Sequence, residues 1–283
     1  MRLLVAGIVC VLLALSFPGI DSRVVKKFTN CSELFFKEKP PVIPGILEKS
    51  EPQIAGFRVI CQKYKNKIRF ATLYNTTGKI PVFSAYKYTG TNHFKRLQTP
   101  NVWMTELQLE PLSAADMHEP FAKQARHEDY LIKNSLNYFP GTLFPTSHAA
   151  DEDTAQSAYT LTNCVPEKKG FREGMWNLVE NEIKVNMDNN CRDNNNRTVA
   201  YVLTGVIPGK DTLNKRVNVP SRMWTAFCCY NNATASWVSQ TYNAATNMYY
   251  NNSNIALKSL EYLQTILRDK WGKKLELFNK NCT

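Results

Sequence analysis

The sequence predicts a single α+β domain in which helices pack on a mostly antiparallel sheet. Three observations carry that expectation. Ile68 to Tyr74 alternates apolar and polar residues, Asn75-Thr76-Thr77-Gly78 reads as a turn, and Ile80 to Tyr88 alternates again, the pattern of a hairpin. Val199 to Ile207 has the texture of a buried strand closed by Pro208-Gly209, and Arg222 to Tyr230 that of an aromatic-rich strand. Phe171, Met175, Leu178, Val179 and Ile183 fall on one stripe of a helix over 171–187, and Leu257, Leu260, Leu263, Ile266 and Leu267 define an amphipathic helix near the C-terminus.

The remaining segments follow in order. Met1-Arg2 precedes an apolar run from Leu3 to Phe17, then Pro18, Gly19 and Ser22, the layout of a signal peptide over 1–22. That run is short of the roughly 20 residues a membrane helix needs. Residues 23–55 carry Pro40, Pro41, Pro44 and Pro52 and are expected to form an extended arm with little regular structure. The domain proper is expected over 56–283. Within it, 112–135 reads as a short helix among loops and the Asn-rich stretch 243–254 as a surface loop.

A hydrophobic content of 43% with 11% aromatics supplies a packed core and argues against disorder. The formal net charge is +11. Loss of residues 1–22 removes Arg2 and Asp21, so the mature charge is unchanged. Such a balance suits polyanionic partners: nucleic acid, heparin-like glycans or an anionic membrane surface. Of the 8 cysteines, Cys10 leaves with the leader, so Cys31, Cys61, Cys164, Cys191, Cys228, Cys229 and Cys282 remain. An odd number allows three bridges at most, with one thiol left free or paired between chains. No Cys-x-x-Cys spacing occurs and His93, His118, His127 and His148 are scattered, which argues against a structural zinc site. Asn-x-Ser/Thr sequons at Asn30, Asn75, Asn196, Asn232, Asn251 and Asn281 complete the picture of a secreted, extracellular glycoprotein.

The stretch Tyr159-Thr160-Leu161-Thr162-Asn163-Cys164-Val165-Pro166, followed by Phe171-Arg172-Glu173-Gly174-Met175-Trp176-Asn177-Leu178-Val179-Glu180, resembles the signature of the DNA/RNA non-specific endonucleases, the ββα-metal nuclease fold. The likeness is greatest to a secreted vertebrate branch of that family. It extends to Ala71-Thr72-Leu73-Tyr74, Ile80-Pro81-Val82, Gln124-Ala125, Asp129-Tyr130 and Tyr201-Val202-Leu203-Thr204-Gly205. It also takes in Arg216-Val217-Asn218-Val219-Pro220-Ser221 with Trp224, and so covers about residues 55–240.

The resemblance implies a compact catalytic centre. A strand end carries Arg-Gly-His, whose histidine is general base to the attacking water. A helix supplies an asparagine that holds one Mg²⁺ among waters, a glutamate two turns on that holds metal-bound water, and a basic residue one turn further that faces the phosphate. In register, the triplet falls on Pro140-Gly141-Thr142, because Leu143-Phe144-Pro145 follows it in this branch. The separation from Thr142 to Asn163, 163 − 142 = 21, is that expected from the histidine to the Thr-Asn motif. Thr142 therefore stands at the general-base position and Arg172 at the metal-holding asparagine. Asn163 and Glu180 are retained, and Lys184 is the basic residue.

Threonine has no accessible pKa near neutrality and cannot act as that base. A guanidinium at the metal seat repels Mg²⁺ as well as removing an oxygen ligand. His148, six residues beyond Thr142, reads as a surface-loop histidine too far away to substitute. Asp151, Glu152 and Asp153 read as a solvated charge run, and Glu180 and Lys184, four apart on the helix, are spaced to pair with each other. The expected function is thus nucleic-acid (DNA or RNA, without sequence preference) or other polyanion binding through Arg172 and Lys184, with little or no hydrolysis. No cofactor is expected. Mg²⁺ enters only if the chain is instead an active nuclease, and a third reading is a secreted protein-interaction scaffold.

Overall fold

The computed structural model describes residues 23–91, 103–110, 121–131, 138–248, 257–278, 280 and 282. The signal-peptide expectation, His93, His118, Asn251, Asn281 and parts of 112–135 and 243–254 lie outside them. The strands are β1 (Arg23–Val25), β2 (Leu47–Glu48), β3 (Glu51–Pro52), β4 (Phe57–Tyr64), β5 (Lys67–Asn75), β6 (Ile80–Tyr88), β7 (Tyr138–Thr142), β8 (Cys164–Lys168), β9 (Ala200–Leu213), β10 (Val217–Asn231) and β11 (Ser236–Ala245). The helices are α1 (His127–Leu131), α2 (Glu152–Ser157), α3 (Asn177–Asn190) and α4 (Leu260–Trp271).

Seven strands form one antiparallel sheet in the order β1-β4-β5-β6-β9-β10-β11, and β7 pairs with β8 apart from it. The sheet is covered on both faces, and the two-residue period of its strands assigns side chains to each. From β6 and β10, Tyr86, Tyr88, Met223 and Phe227 face a core shared with Phe144, Met175, Trp176, Val179 and Ile183. Phe83, Ala85, Trp224 and Ala226 alternate with them and face a second core with Phe28, Phe36, Leu263, Leu267 and Trp271. The neighbours Cys228 and Cys229 accordingly point to opposite faces. Cys229 bonds Cys191 just after α3, and Cys228 bonds Cys282 in the C-terminal tail.

Several expectations change. Residues 23–55 are no loose arm: β1 joins the sheet, two 3₁₀ turns span Phe28–Leu34 and Phe36–Glu38, and Cys31 is tied to Cys61 in β4. Phe28, Phe35, Phe36, Ile43 and Leu47 are buried there, and that burial holds the segment down. The strand read as closing at Pro208-Gly209 runs on to Leu213, since Pro208 faces Pro220 at an irregularity in the β9–β10 ladder, where proline's missing N–H costs no pairing. The predicted surface loop begins inside β11, a half-buried edge strand in which Ser, Thr, Asn and Gln mix with Trp, Val, Tyr and Ala. The odd thiol is Cys164, wholly buried, so it cannot pair with another chain without unfolding. Among the described residues no helix is long and apolar enough to cross a membrane.

Candidate functional site

The site is built from the β7–β8 ladder and the helix that follows it. Register pairs Thr142 with Cys164, Gly141 with Val165, Pro140 with Pro166 and Phe139 with Glu167. After β8 the chain enters a wide π-type turn, Phe171–Trp176, which continues into α3. Such turns recur at functional positions because they re-aim side chains without ending the helix. Phe171, Met175, Trp176, Val179 and Ile183 are buried, which leaves Arg172, Glu180 and Lys184 half-buried along the flank.

Asn163, expected beside the reacting groups, sits in the interior instead. Its Oδ1 accepts from Ser84 Oγ at 2.8 Å and from the Phe144 N–H at 2.9 Å. Its Nδ2 donates to the Phe144 carbonyl at 3.2 Å and the Ala158 carbonyl at 3.0 Å. The amide's bonding capacity is spent, so Asn163 clamps the chain just after β7 rather than reaching a ligand. Thr142 stands half-buried at the strand end above it.

His148 corrects the sequence reading most sharply. It is 3% exposed, with Nδ1 at 2.8 Å from Tyr86 Oη and Nε2 at 2.9 Å from the Glu180 carbonyl. A carbonyl only accepts, so Nε2 carries the proton and Nδ1 accepts from the Tyr86 hydroxyl. Burial pushes the imidazole pKa down to about 4. The adjoining cavity, lined in part by Tyr86, Trp176 and Glu180, has a volume of about 10 Å³, room for one water at most. His148 is thus a neutral, fully bonded pin between β6 and α3, shut off from any substrate.

Lys184 does not pair with Glu180. It bonds Asp188 at 2.7 Å, and the other oxygen of Asp188 takes the Tyr88 hydroxyl at 2.6 Å. Nor is the 151–153 run simply solvated. Asp151 caps α2 through the Thr154 N–H and, with Asp153, holds the Arg69 guanidinium, whose side chain is only 8% exposed; Lys65 also pairs with Asp153. Arg172, by contrast, makes no ion pair or hydrogen bond with another described residue. Glu173 reaches toward Lys169 at 4.0 Å instead.

The residue missed from sequence is Glu167. It is 1% exposed, and neither carboxyl oxygen has a hydrogen-bond partner. Its carboxyl lies over Gly141, where a Cβ would fall 1.9 Å from Glu167 Oε1. The backbone at Gly141 is not left-handed, so the glycine is required for room rather than for conformation. Burial first, then the negative charge of Glu180, pushes the Glu167 pKa up to about 8, against the opposing pull of Arg172. Glu167 is therefore a neutral acid through most of the physiological range. Its signal in the sequence was faint: one acid in a strand, two residues past a buried valine. Among the described residues no three His, Cys, Asp or Glu side chains converge as an ion would require.

Residues 50–269 match the model of the family described as DNA/RNA non-specific endonuclease. The chain is 28% identical over 211 residues to the Endonuclease domain-containing 1 protein of Homo sapiens, covering 71% of this chain and 39% of that protein. Against the Mus musculus protein of the same name it is 28% identical over 215 residues, with the same coverages of 71% and 39%. The chain therefore spans about two fifths of the length of the curated relatives it matches. Among solved structures it superposes on a chain of the EndoG/EndoGI complex, a crystal structure concerned with EndoG inhibition. The TM-score is 0.55 at 14% identity, over 71% of this chain and 82% of that one, which is a likeness of fold alone. The α+β architecture is that of a ββα-metal nuclease, and the chain belongs to the DNA/RNA non-specific endonuclease family.

Proposed function

We propose that this chain is a secreted member of the family that binds nucleic acid or another polyanion without efficient hydrolysis. The observation that carries the reading is the make-up of the would-be centre. A hydroxyl, Thr142, stands at the strand end, and a guanidinium, Arg172, at the first turn of the helix. Among the described residues the imidazole nearby, His148, has both nitrogens engaged and room beside it for one water at most. The donor set does not fit a hydrated Mg²⁺, because Arg172 offers no oxygen and carries positive charge. Without a general base, the rate falls by about 10²–10⁴-fold. Hydrolysis without the ion then lacks its charge stabilisation as well.

Binding rests on what survives. A guanidinium presents paired N–H donors that match phosphate geometry. Arg172 is half-buried and uncommitted to another described residue, and it lies on a chain of net charge +11. Lys184 contributes less than its position promised, since Asp188 already neutralises it. The test is the salt dependence of binding to random-sequence duplex DNA and to RNA in the presence of a chelator. Binding that persists without divalent ions, with a slope in log affinity against log salt of about −0.9 per phosphate contacted, supports the reading. Arg172→Ala should weaken binding to all sequences alike and flatten the slope by about one. Absence of salt-dependent binding favours a protein-interaction scaffold, and ion-dependent cleavage favours an active endonuclease.

A further inference from the structure

α4 and the C-terminal tail enclose a cavity of about 540 Å³ on the face of the sheet away from the candidate site. The local sequence builds it. Trp271 and Leu275 are both buried, so the chain must reverse between them, and Gly272 takes the positive φ of 97° at which the helix ends. Lys273 and Lys274 occupy that reversal and are exposed. Leu275, Leu277 and Phe278 then run back into the second core. The Leu277 N–H donates to Gln264 Oε1 at 2.9 Å, which holds the tail against the helix. Lys280 adds to the rim, beside Cys282 and its bond to Cys228.

Four cations, Arg268, Lys273, Lys274 and Lys280, line the cavity against two carboxylates, Glu261 and Glu276. Glu261 is committed: one oxygen pairs with Arg268 and the other accepts from Gln264 Nε2 at 3.3 Å. None of the three lysines makes an ion pair or hydrogen bond with another described residue. Arg268 keeps a buried Nε–H with no acceptor. Low-dielectric walls focus this excess positive charge, so the concavity draws an anion. We propose that the cavity binds a short stretch of a sulfated glycan chain. Its volume falls in the range of about 300–1,000 Å³ that small-ligand sites occupy. A nucleic-acid duplex presents its phosphates on a rigid convex surface and cannot enter. A single strand needs exposed aromatic rings on which to stack its bases, and the one ring lining the cavity, Phe278, is only 5% exposed. A sulfated saccharide asks for neither. Its sulfates need point charges, which lysines supply, and its hydroxyls need an acceptor, which the Glu276 carboxylate offers. This site is separate from Arg172 and does not rest on the polyanion reading there.

The experiment is calorimetric titration of the full chain with a heparin-derived tetrasaccharide at fixed ionic strength. Wild-type protein should bind it and should not bind the desulfated tetrasaccharide. The Lys273→Ala, Lys274→Ala double variant should bind roughly tenfold more weakly, the scale of two solvent-screened charge contacts. The Lys210→Ala, Lys215→Ala double variant removes the same charge from exposed positions of the β9–β10 hairpin and should keep the wild-type affinity. Lys273→Arg with Lys274→Arg preserves the charge and should also bind as wild type. Arg172→Ala should leave tetrasaccharide affinity unchanged, whatever it does to duplex binding. Equal losses in the two alanine doubles would reduce the effect to net charge and overturn the site. So would wild-type protein that ignores the tetrasaccharide. Loss of tetrasaccharide affinity in Arg172→Ala would move the glycan to the other face and overturn this site too. Displacement of the tetrasaccharide by single-stranded oligothymidylate of equal charge would overturn the choice of a glycan in favour of single-stranded nucleic acid.

Discussion

The two faces of the seven-stranded sheet hold the same kind of core but carry different polar content. On the face away from the candidate site, the N-terminal segment and α4 bury Phe28, Phe36, Leu263 and Trp271, and two disulfides, Cys31–Cys61 and Cys228–Cys282, pin the chain ends down. On the site face the core contains or adjoins Asn163, His148, Glu167 and the thiol Cys164, with one disulfide, Cys191–Cys229, at the far end of α3. The first face is held by burial and covalent ties. The second depends on buried polar groups finding partners, and Glu167 is one that does not, as is the Trp176 indole N–H. Retention of a nuclease fold and retention of nuclease chemistry are thus separable: nothing in the first face requires the second to work.

The largest effect that would sharpen this contrast comes from the ties. The Cys31→Ser, Cys61→Ser double variant should lose about 2–5 kcal/mol, the usual range for a native disulfide. The unfolding midpoint in denaturant reads that loss. Limited proteolysis and hydrogen exchange of the same variant should show the N-terminal segment opening while the site-face hydrogen bonds persist. Loss of protection on both faces together would mean that the two are one cooperative unit.

A somewhat smaller effect lies at Gly141. Gly141→Ala places a methyl where the Glu167 carboxyl now sits, and overpacking of that kind costs about 3 kcal/mol. Glu167→Ala in the same chain should recover most of it, as pairs in contact do not add independently. If the two losses simply sum, the carboxyl does not occupy that place.

The smallest effect separates the two buried titratable groups by pH. The folded-state value of His148, about 4, lies below its ordinary 6.5. Its contribution is therefore fully present above 6.5 and lost as pH falls through 4. Glu167 runs the other way. Its folded value of about 8 lies above the ordinary 4.5, so its contribution is complete below 4.5 and lost as pH rises through 8. Between 4.5 and 6.5 the two oppose each other; above 6.5 Glu167 acts alone. Between pH 6.5 and 8.5 the wild-type Tm should drift down by about 6 °C, the scale of a loss of about 2 kcal/mol in a domain of this size, and Glu167→Gln should remove that drift. An unchanged drift in the variant would assign it to another group.

These regions were not equally legible in the sequence. The β5–β6 hairpin, the helix over 171–187 and α4 were readable because local apolar spacing specifies them, although the wide π-type turn that opens that helix was not. β11 was not, since an edge strand that mixes Ser, Thr, Asn and Gln with Trp237, Val238 and Tyr242 has no clear two-residue period and gains its hydrogen bonds only from its neighbour. The prolines of 23–55 suggested a loose arm, yet its aromatic residues find the second core only through contacts distant in sequence. At the site, register placed Thr142, Arg172, Glu180 and Lys184 along one stretch, but not their partners. His148 sits among Thr, Ser and Ala and reads as exposed, whereas Tyr86 and Glu180 enclose it. Glu167 precedes two lysines and carried no sequence signal; its burial depends on the room that the cross-strand Gly141 leaves for it. Partnering is non-local, and a single chain's local pattern does not encode it.

The central claim, an intact nuclease fold with its chemistry removed, is tested most directly by plasmid nicking with Mg²⁺ or Mn²⁺. The purified wild-type chain would be run beside the Pro140→Arg, Thr142→His, Arg172→Asn triple variant. The account predicts that wild-type protein leaves supercoiled plasmid intact while the triple variant nicks it only when the ion is present. Wild-type nicking at a rate matching an active member of the family would contradict the account outright.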